Sequence, residues 1–204
     1  MKVEEYVEKY RLVPVVVLND IGEVTPKMSA LIEGGLPIAE ITFRTACAKE
    51  AIAKASKEFP EMLVGAGTVI NAVQCREAIA AGAKFIVSPG FSDEVLDECN
   101  KQKVPYFPGC VTPTEIMHAI ARGLKILKFF PAQVYGGLKA INALGAAFPQ
   151  IKFIPTGGAD NTNLAEFLAN SKIYAVGGSF MMKGEPKDIV ESTKAAMKIV
   201  NEAK

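Results

Sequence analysis

Residues 12–22 read LVPVVVLNDIG, an apolar run followed by a short polar turn. The run at 12–18 has the length and the β-branched content of a buried strand. An open, doubly wound sheet that binds a dinucleotide would carry a glycine-rich fingerprint directly after such a first strand. The turn Asn19-Asp20-Ile21-Gly22 is not that fingerprint. The segment therefore favours the other common parallel architecture, the closed (β/α)8 barrel.

Apolar runs alternate with segments of helical period along the whole chain, which is typical of an α/β fold with a parallel sheet. Strands are predicted at residues 12–18, 37–43, 62–65, 84–88, 104–107, 125–129, 151–154 and 172–176. Helices are predicted at 24–33, 47–58, 72–81, 93–101, 114–122, 164–170 and 186–204. Eight strands is the count of a closed barrel, so we expect one (β/α)8 domain over residues 1–204. Val3, Tyr6, Val7 and Tyr10 recur at helical spacing and predict an extra N-terminal helix.

The composition fits a single globular domain. The chain has 204 residues, 50% of them hydrophobic and 22% charged, with a net charge of +1. A balanced charge gives no attraction to nucleic acid or acidic membranes, and no stretch approaches the roughly 20 apolar residues that span a bilayer. We therefore expect a cytoplasmic enzyme with no nucleic-acid or membrane partner.

Cysteine and histidine are too few and too scattered to predict a metal site. The four cysteines form no C-x-x-C pair, so free thiols are expected rather than zinc ligands or disulfides. His118 is the only histidine, whereas a metal-dependent barrel enzyme needs several histidines or an Asp/His cluster. The sequence predicts no metal and no cofactor.

Lys128 is the one charged residue in the apolar run ILKFFP at 126–131. A buried amine without a partner tends to lose its proton, and a neutral amine can attack a carbonyl carbon to form a Schiff base. The alternative is a lysine whose aliphatic chain lines the sheet while its ammonium group reaches water. Lys128 is therefore a candidate nucleophile.

Polar residues alternate with apolar ones along the second predicted strand. Glu40, Thr42 and Arg44 share one face, because successive side chains of a strand point to opposite sides. Ile41 and Phe43 suit the side that faces the helices, so the polar trio is predicted to point inward. Such a trio could serve catalysis or form a structural salt bridge.

Glycine, proline and hydroxyl residues end most of the other strands. The third, fourth and fifth strands end in GAGT at 65–68, VSPG at 87–90 and FPGCVTP at 107–113. Each of these alone is common turn chemistry. The seventh and eighth end in PTGG at 155–158 and VGGS at 176–179, where barrel enzymes often bind phosphate through backbone N–H groups. These endings predict a phosphate site at the same opening as Lys128.

Six segments, in order along nearly the whole chain, resemble bacterial 2-keto-3-deoxy-6-phosphogluconate (KDPG) aldolase and the related 4-hydroxy-2-oxoglutarate (KHG) aldolase. They are EITFRT at 40–45, GAGT at 65–68, VSPG at 87–90, LKFFPA at 127–132, PTGG at 155–158 and GGS at 177–179. The resemblance implies a metal-free class I aldolase and a homotrimer. Its expected substrates are KDPG, cleaved to pyruvate and D-glyceraldehyde 3-phosphate, and KHG, cleaved to pyruvate and glyoxylate.

The resemblance also implies residue roles. Lys128 would form the imine and Glu40 would move protons. The implied substrate contacts are Arg44 and Thr68 at the carboxylate of the pyruvate end, Pro89 beside them, Thr156, and Gly157, Gly158, Gly178 and Ser179 toward the phosphate. A charged Glu40 would stabilise the ammonium form of Lys128. The sequence therefore leaves open whether the amine is mostly neutral or reacts through a small neutral fraction.

Two residues depart from the family's usual pattern. Gln133 stands where the family commonly has Glu, and Cys110 stands where small or aliphatic residues vary. Two other functions remain open at this point. The chain could be an aldolase for the galactonate epimer of KDPG, since epimer choice depends on single hydroxyl contacts, or a phosphate-binding barrel without catalysis.

Overall fold

The structure is a computed structural model that describes residues 2–203, and it is an α/β fold in which every strand pairs in parallel. Its strands are β1 Leu12–Val16, β2 Ile38–Thr42, β3 Leu63–Gly67, β4 Ile86–Val87, β5 Tyr106–Phe107, β6 Ile126–Phe129, β7 Lys152–Pro155 and β8 Val176–Gly178. The α-helices of the described residues are α1 Val3–Tyr10, α2 Val24–Glu33, α3 Ala48–Glu58, α4 Ala72–Ala80, α5 Asp93–Gln102, α6 Pro113–Ala121, α7 Gly137–Ala147, α8 Leu164–Ala169 and α9 Pro186–Glu202. The α/β fold with a parallel sheet is confirmed.

The strands are arranged as one long sheet and one strand pair. The sheet has the order β5-β4-β3-β2-β1-β8, and β6 pairs with β7. Isolated parallel bridges join the two at both edges: Gly109 with Lys128, Phe153 with Ile173, and Thr156 with Gly177. The order of pairing thus passes through all eight strands and returns to its start. Since the strands are parallel, their carboxyl ends surround one opening.

The eighth strand differs most from its predicted bounds of 172–176. In the structure it is Val176, Gly177 and Gly178 that pair with β1. A glycine pair reads as a turn because glycine has a low strand propensity. Here the glycine serves a close contact, since a Cβ on Gly177 would lie 2.3 Å from the Thr156 hydroxyl oxygen. β5 is shorter than predicted because Pro105 and Pro108, which flank it, lack the N–H that a strand ladder uses.

Most helices lie within one or two residues of the predicted bounds, and several begin at side-chain caps. Asn71, Ser92 and Thr112 accept hydrogen bonds from the N–H groups of Gln74, Val95 and Glu115. Helix α7 was not predicted, because Gly136, Gly137 and Gly145 lower the helix propensity of that segment. Helix α1 contains the buried Val7, and the Tyr174 hydroxyl donates to the Glu4 carbonyl. The predicted end of the last helix at Lys204 lies outside the described residues.

Aromatic packing surrounds the strand next to Glu40. Gly65 of β3 pairs with Glu40 of β2, and a Cβ on Gly65 would lie 2.3 Å from the ring of Phe85. The buried rings of Phe85 and Phe107 are 6.1 Å apart. Because Gly65 has no side chain, the Phe85 ring can pack against β3 directly beside Glu40 of β2. Within the described chain, no helix has both the length and the apolar character needed to cross a membrane.

Candidate active site

A buried ion pair links two strands that are not neighbours in the sheet. The Lys128 ammonium nitrogen, on β6, lies 3.2 Å from Oε1 of Glu40, on β2. Lys128 is 3% exposed and Glu40 is 2% exposed. Two charges this deep are tolerated only when each is the other's partner or when they exchange a proton. The structure thus brings together the predicted nucleophile and the predicted proton carrier.

Gly67, at the end of β3, makes the space in which the Glu40 carboxylate lies. A Cβ on Gly67 would be 2.2 Å from Oε1 and 2.8 Å from Cδ of Glu40. No real Cβ approaches oxygen so closely, so any other residue would displace the carboxylate. Gly67 belongs to the GAGT segment of the sequence. The reason for a glycine at this position is the Glu40 side chain of the neighbouring strand, which the sequence does not show.

An aromatic ring faces the Lys128 ammonium. The nitrogen lies 5.3 Å from the centroid of the Phe130 ring, within the range of a cation–π contact. Phe130 also lines the cavity that opens toward solvent. The ring therefore connects the buried amine with the space a substrate could enter.

The three polar residues predicted to share one face of β2, Glu40, Thr42 and Arg44, make different contacts in the structure. Thr42 is buried, and its hydroxyl donates to the Val16 carbonyl at 3.3 Å, so it joins β2 to β1. Arg44 lies beyond the end of β2 and is exposed, and its Nε donates to the Thr68 hydroxyl at 3.0 Å. Thr68 has a φ of 56°, a left-handed conformation that non-glycine residues rarely adopt. The prediction of one inward face thus fits Glu40 and Thr42, while Arg44 reaches the opening itself.

A cavity of about 350 Å³ opens at the carboxyl ends of β7, β8 and β1. Six predicted substrate contacts line it, namely Arg44, Thr156, Gly157, Gly158, Gly178 and Ser179. Sequence reasoning did not assign the other lining residues to the site, and among these are Asp160, Phe180 and Lys183. The lining thus combines a guanidinium group, glycine backbone, hydroxyl groups and a lysine. These groups suit an anionic molecule.

Glycines shape the wall on the β7 side. Gly157 and Gly158 have φ values of 90° and 92°, which strongly favour glycine. A Cβ on Gly158 would lie 2.4 Å from Cβ of Gln133, and the Gln133 N–H donates to the Gly157 carbonyl at 3.1 Å. Gln133, the departure from the family pattern, therefore supports the glycine loop from outside the cavity.

Pro89 is separated from this cavity. It lines a different cavity of about 240 Å³ together with Val69, Ile70 and Phe91. Its carbonyl oxygen packs against Gly109, where a Cβ would lie only 2.0 Å away. The other departure, Cys110, is fully buried, and burial raises the pKa of its thiol to about 12, with a smaller contribution from the charge of Glu115. Cys110 is therefore an inert part of the core.

His118 lies on α6, away from the ion pair, where its Nε2 is 3.0 Å from Oδ2 of Asp93. The described residues contain no group of three or more His, Cys, Asp or Glu side chains arranged to hold a metal ion.

Comparison with known proteins identifies relatives along almost the whole chain. A family model described as "KDPG and KHG aldolase" matches residues 3–197. The chain is 42% identical over 181 residues to the 2-dehydro-3-deoxy-phosphogluconate aldolase of Treponema pallidum, covering 89% of this chain and 86% of that protein. It is 40% identical over 199 residues to the KHG/KDPG aldolase of Escherichia coli strain K12, covering 95% of this chain and 92% of that protein.

Two solved structures are similar over the full fold. The KDPG aldolase of Zymomonas mobilis ZM4, solved with 3-phosphoglycerate, has a TM-score of 0.90 and 38% identity, covering 97% of this chain and 96% of that one. The KDPG aldolase of Legionella pneumophila, solved with pyruvate captured as a covalent carbinolamine, has a TM-score of 0.87 and 33% identity, covering 98% of this chain and 96% of that one.

Proposed function

The chain belongs to the KDPG and KHG aldolase family and is an aldolase, hence a lyase; from this premise we propose that it is a class I enzyme that cleaves KDPG through a Schiff base on Lys128. The observation that carries the proposal is the buried contact of 3.2 Å between the Lys128 amine and the Glu40 carboxylate. It lies beside a cavity lined by groups that can bind anions, among them Arg44, Ser179 and Lys183. A carbinolamine trapped in the Legionella relative supports the same chemistry.

The ion pair supplies the first step. When the Lys128 ammonium gives one proton to Glu40, the pair becomes a neutral amine and a carboxylic acid, and the buried site gains no net charge. The amine then attacks the C2 ketone of the substrate, and a proton passes from the attacking nitrogen to the ketone oxygen to give a neutral carbinolamine. Loss of that oxygen as water, with a proton returned from Glu40, leaves a protonated imine.

The protonated imine draws electrons from the bond that breaks. Glu40, again a carboxylate, removes the proton of the C4 hydroxyl, directly or through a water molecule. The C3–C4 bond then cleaves, and its electron pair forms an enamine with the imine carbon. The aldehyde fragment, D-glyceraldehyde 3-phosphate, leaves. Protonation of the enamine at C3 and hydrolysis of the imine release pyruvate and restore Lys128.

The remaining contacts orient the substrate between the two ends of the cavity. Arg44, fixed by Thr68 at 3.0 Å, would pair with the C1 carboxylate, since a guanidinium matches a carboxylate in two parallel hydrogen bonds. Thr156 would bond a substrate hydroxyl. Gly157, Gly158, Gly178 and Ser179 would receive the phosphate through N–H and O–H donors. Pro89 would shape the pyruvate end from its neighbouring cavity.

KHG is proposed as a second substrate, because the family model and the E. coli relative bear its name. It has the same C1 carboxylate, C2 ketone and C4 hydroxyl as KDPG but no phosphate. Cleavage of its C3–C4 bond gives pyruvate and glyoxylate. The galactonate epimer differs from KDPG in one stereocentre, so relative kcat/KM values on the two epimers decide between these substrates. A non-catalytic barrel is disfavoured because the ion pair, Gly67 and the Arg44–Thr68 contact would serve no purpose together.

We further propose that the ring of strands is a single-domain (β/α)8 barrel with α1 as the extra N-terminal helix. The homotrimer, the cytoplasmic location and the absence of a cofactor stay predictions.

Reductive trapping tests the mechanism. The protein is incubated with pyruvate and borohydride, its intact mass is measured, and the modified peptide is mapped. A single pyruvyl adduct on Lys128 is expected. The matched control is Lys125→Met, an exposed lysine near the same strand, which should leave the adduct unchanged. No adduct in folded protein, or an adduct elsewhere, would refute the Schiff base on Lys128.

A steady-state assay of pyruvate release tests the substrate. For Ser179→Ala we expect KM for KDPG to rise on the order of tenfold, the loss of one hydrogen bond to a charged group, with little change for KHG. Equal losses on both substrates would place Ser179 outside the phosphate site.

A further inference from the structure

Two charged side chains of the cavity have no part in the chemistry described above. Asp160 follows the glycine pair at 157–158, and Lys183 follows the 3-10 helix Phe180–Met182. That helix begins directly after Ser179, so its single turn returns the chain to the cavity that Ser179 lines. An acidic and a basic residue thus line the same cavity as the donors proposed for the phosphate.

Asp160 is held in place as an anion. Its Oδ1 accepts hydrogen bonds from the N–H and the hydroxyl of Thr162, and its own N–H donates to Oδ1 of Asn163 at 2.9 Å. Asn163 also donates to the Gly158 carbonyl at 2.9 Å, which ties this loop to the glycine pair. The hydrogen bonds from Thr162 lower the pKa of Asp160 most, and the charge of Lys183 lowers it further. The carboxylate is therefore charged at neutral pH.

A fixed carboxylate is unfavourable at the edge of a phosphate site. The backbone N–H groups and the Ser179 hydroxyl donate hydrogen bonds to a phosphate but carry no net charge, so neutralising the added negative charge of Asp160 requires a cation. Lys183 and Arg44 are the two basic residues of the lining, and the Arg44 guanidinium is already bonded to Thr68. Among the described residues Lys183 has no ion-pair partner within 4.0 Å, which leaves its ammonium group able to bind an incoming anion.

We propose that Lys183 is the residue that makes this cavity select phosphorylated substrates, and that the charge of Asp160 opposes it and weakens phosphate binding. The inference rests on the proposed function, because it assigns the phosphate of the substrate to this end of the cavity. Lys183 acts as a specificity residue that touches the phosphate and not the reacting carbons.

The kinetic test uses KDPG, which carries the phosphate, and KHG, which lacks it. Lys183→Met should raise KM for KDPG about tenfold, the loss of one charge-assisted hydrogen bond, with kcat and the constants for KHG unchanged. Lys183→Arg should restore most of the loss, and Asp160→Asn should lower KM for KDPG. Lys187→Met is the matched control, because Lys187 is exposed at the start of α9 and lines a different cavity. Equal changes on both substrates, or no change, would overturn the proposal.

A binding measurement separates this inference from the proposed function. The wild-type protein and both variants are titrated calorimetrically with glycerol 3-phosphate, which carries the phosphate but cannot be cleaved. Weaker binding to Lys183→Met and tighter binding to Asp160→Asn would support the inference even if the wild type cleaved no KDPG. Cleavage of KDPG by a wild type whose phosphate affinity is the same as that of both variants would reject the inference and keep the proposed function.

Discussion

Replacing Lys128 with methionine should abolish turnover and also destabilise the fold, because it leaves the Glu40 carboxylate buried without its partner. Both residues are at most 3% exposed. Removing one member of a buried ion pair costs about 3–5 kcal/mol. The free energy of unfolding of a domain is about 5–15 kcal/mol, so the variant should fold. Its melting temperature should fall by about 10 °C, at roughly 2–4 °C per kcal/mol for a chain of this size.

The double variant Lys128→Met with Glu40→Met tests whether the unpaired Glu40 carboxylate causes the loss of stability. Two apolar side chains of similar length replace the two charges, and such replacements of buried pairs are often neutral or stabilising. Urea unfolding followed by far-UV circular dichroism gives the free energy of each protein. The double variant should be more stable than Lys128→Met by at least about 2 kcal/mol, while both lack turnover.

Two results would contradict this reasoning. If Lys128→Met were as stable as the wild type, the lone carboxylate would have found water or a proton at no cost, and the site would be less closed than its burial indicates. If the double variant were as unstable as the single one, the loss would come from packing around the Lys128 stem rather than from the unpaired charge. Measurable turnover by either variant would remove Lys128 from the mechanism.

Three further predictions concern the same opening. Gly67→Ala should lower kcat by about 10²- to 10⁴-fold, the range for loss of general acid–base catalysis, because its Cβ would lie 2.2 Å from the Glu40 carboxylate. In the double variant Glu40→Gln with Gly67→Ala, kcat should be close to that of Glu40→Gln alone. A further loss of kcat of the full size would show that Gly67 does not act through Glu40. Thr68→Ala should raise KM for KDPG about tenfold by freeing Arg44, while Thr68→Ser should not; equal effects of both would implicate the backbone. Dialysis against a chelator should leave turnover unchanged, and a loss reversed by a divalent ion would overturn the class I mechanism.

Strand parity predicted which face each β2 side chain occupies, but not its depth or its partner. Glu40 and Thr42 face inward as the period of two requires. That Thr42 bonds Val16, and that Glu40 meets Lys128 across 88 positions of sequence, depends on how the ring of strands closes. Parity is a local property of one strand, whereas these contacts are set by the stagger of strands that are distant in the chain.

The glycines mark the limit of sequence reasoning most clearly. In the sequence, Gly67 and Gly177 read as turn residues, and turn chemistry alone accounts for them. In the structure each leaves space for a polar side chain from another chain segment, the Glu40 carboxylate at 2.2 Å and the Thr156 hydroxyl at 2.3 Å from the missing Cβ. The requirement for glycine at these positions is set by the neighbouring strand, so no local pattern can reveal it. The same holds for Asp160 and Lys183, which read as ordinary loop charges in the sequence, whereas in the structure they line one cavity from two separate chain segments. Sequence therefore predicted the groups that we propose for the chemistry, and the structure was needed to find the residues packed around them.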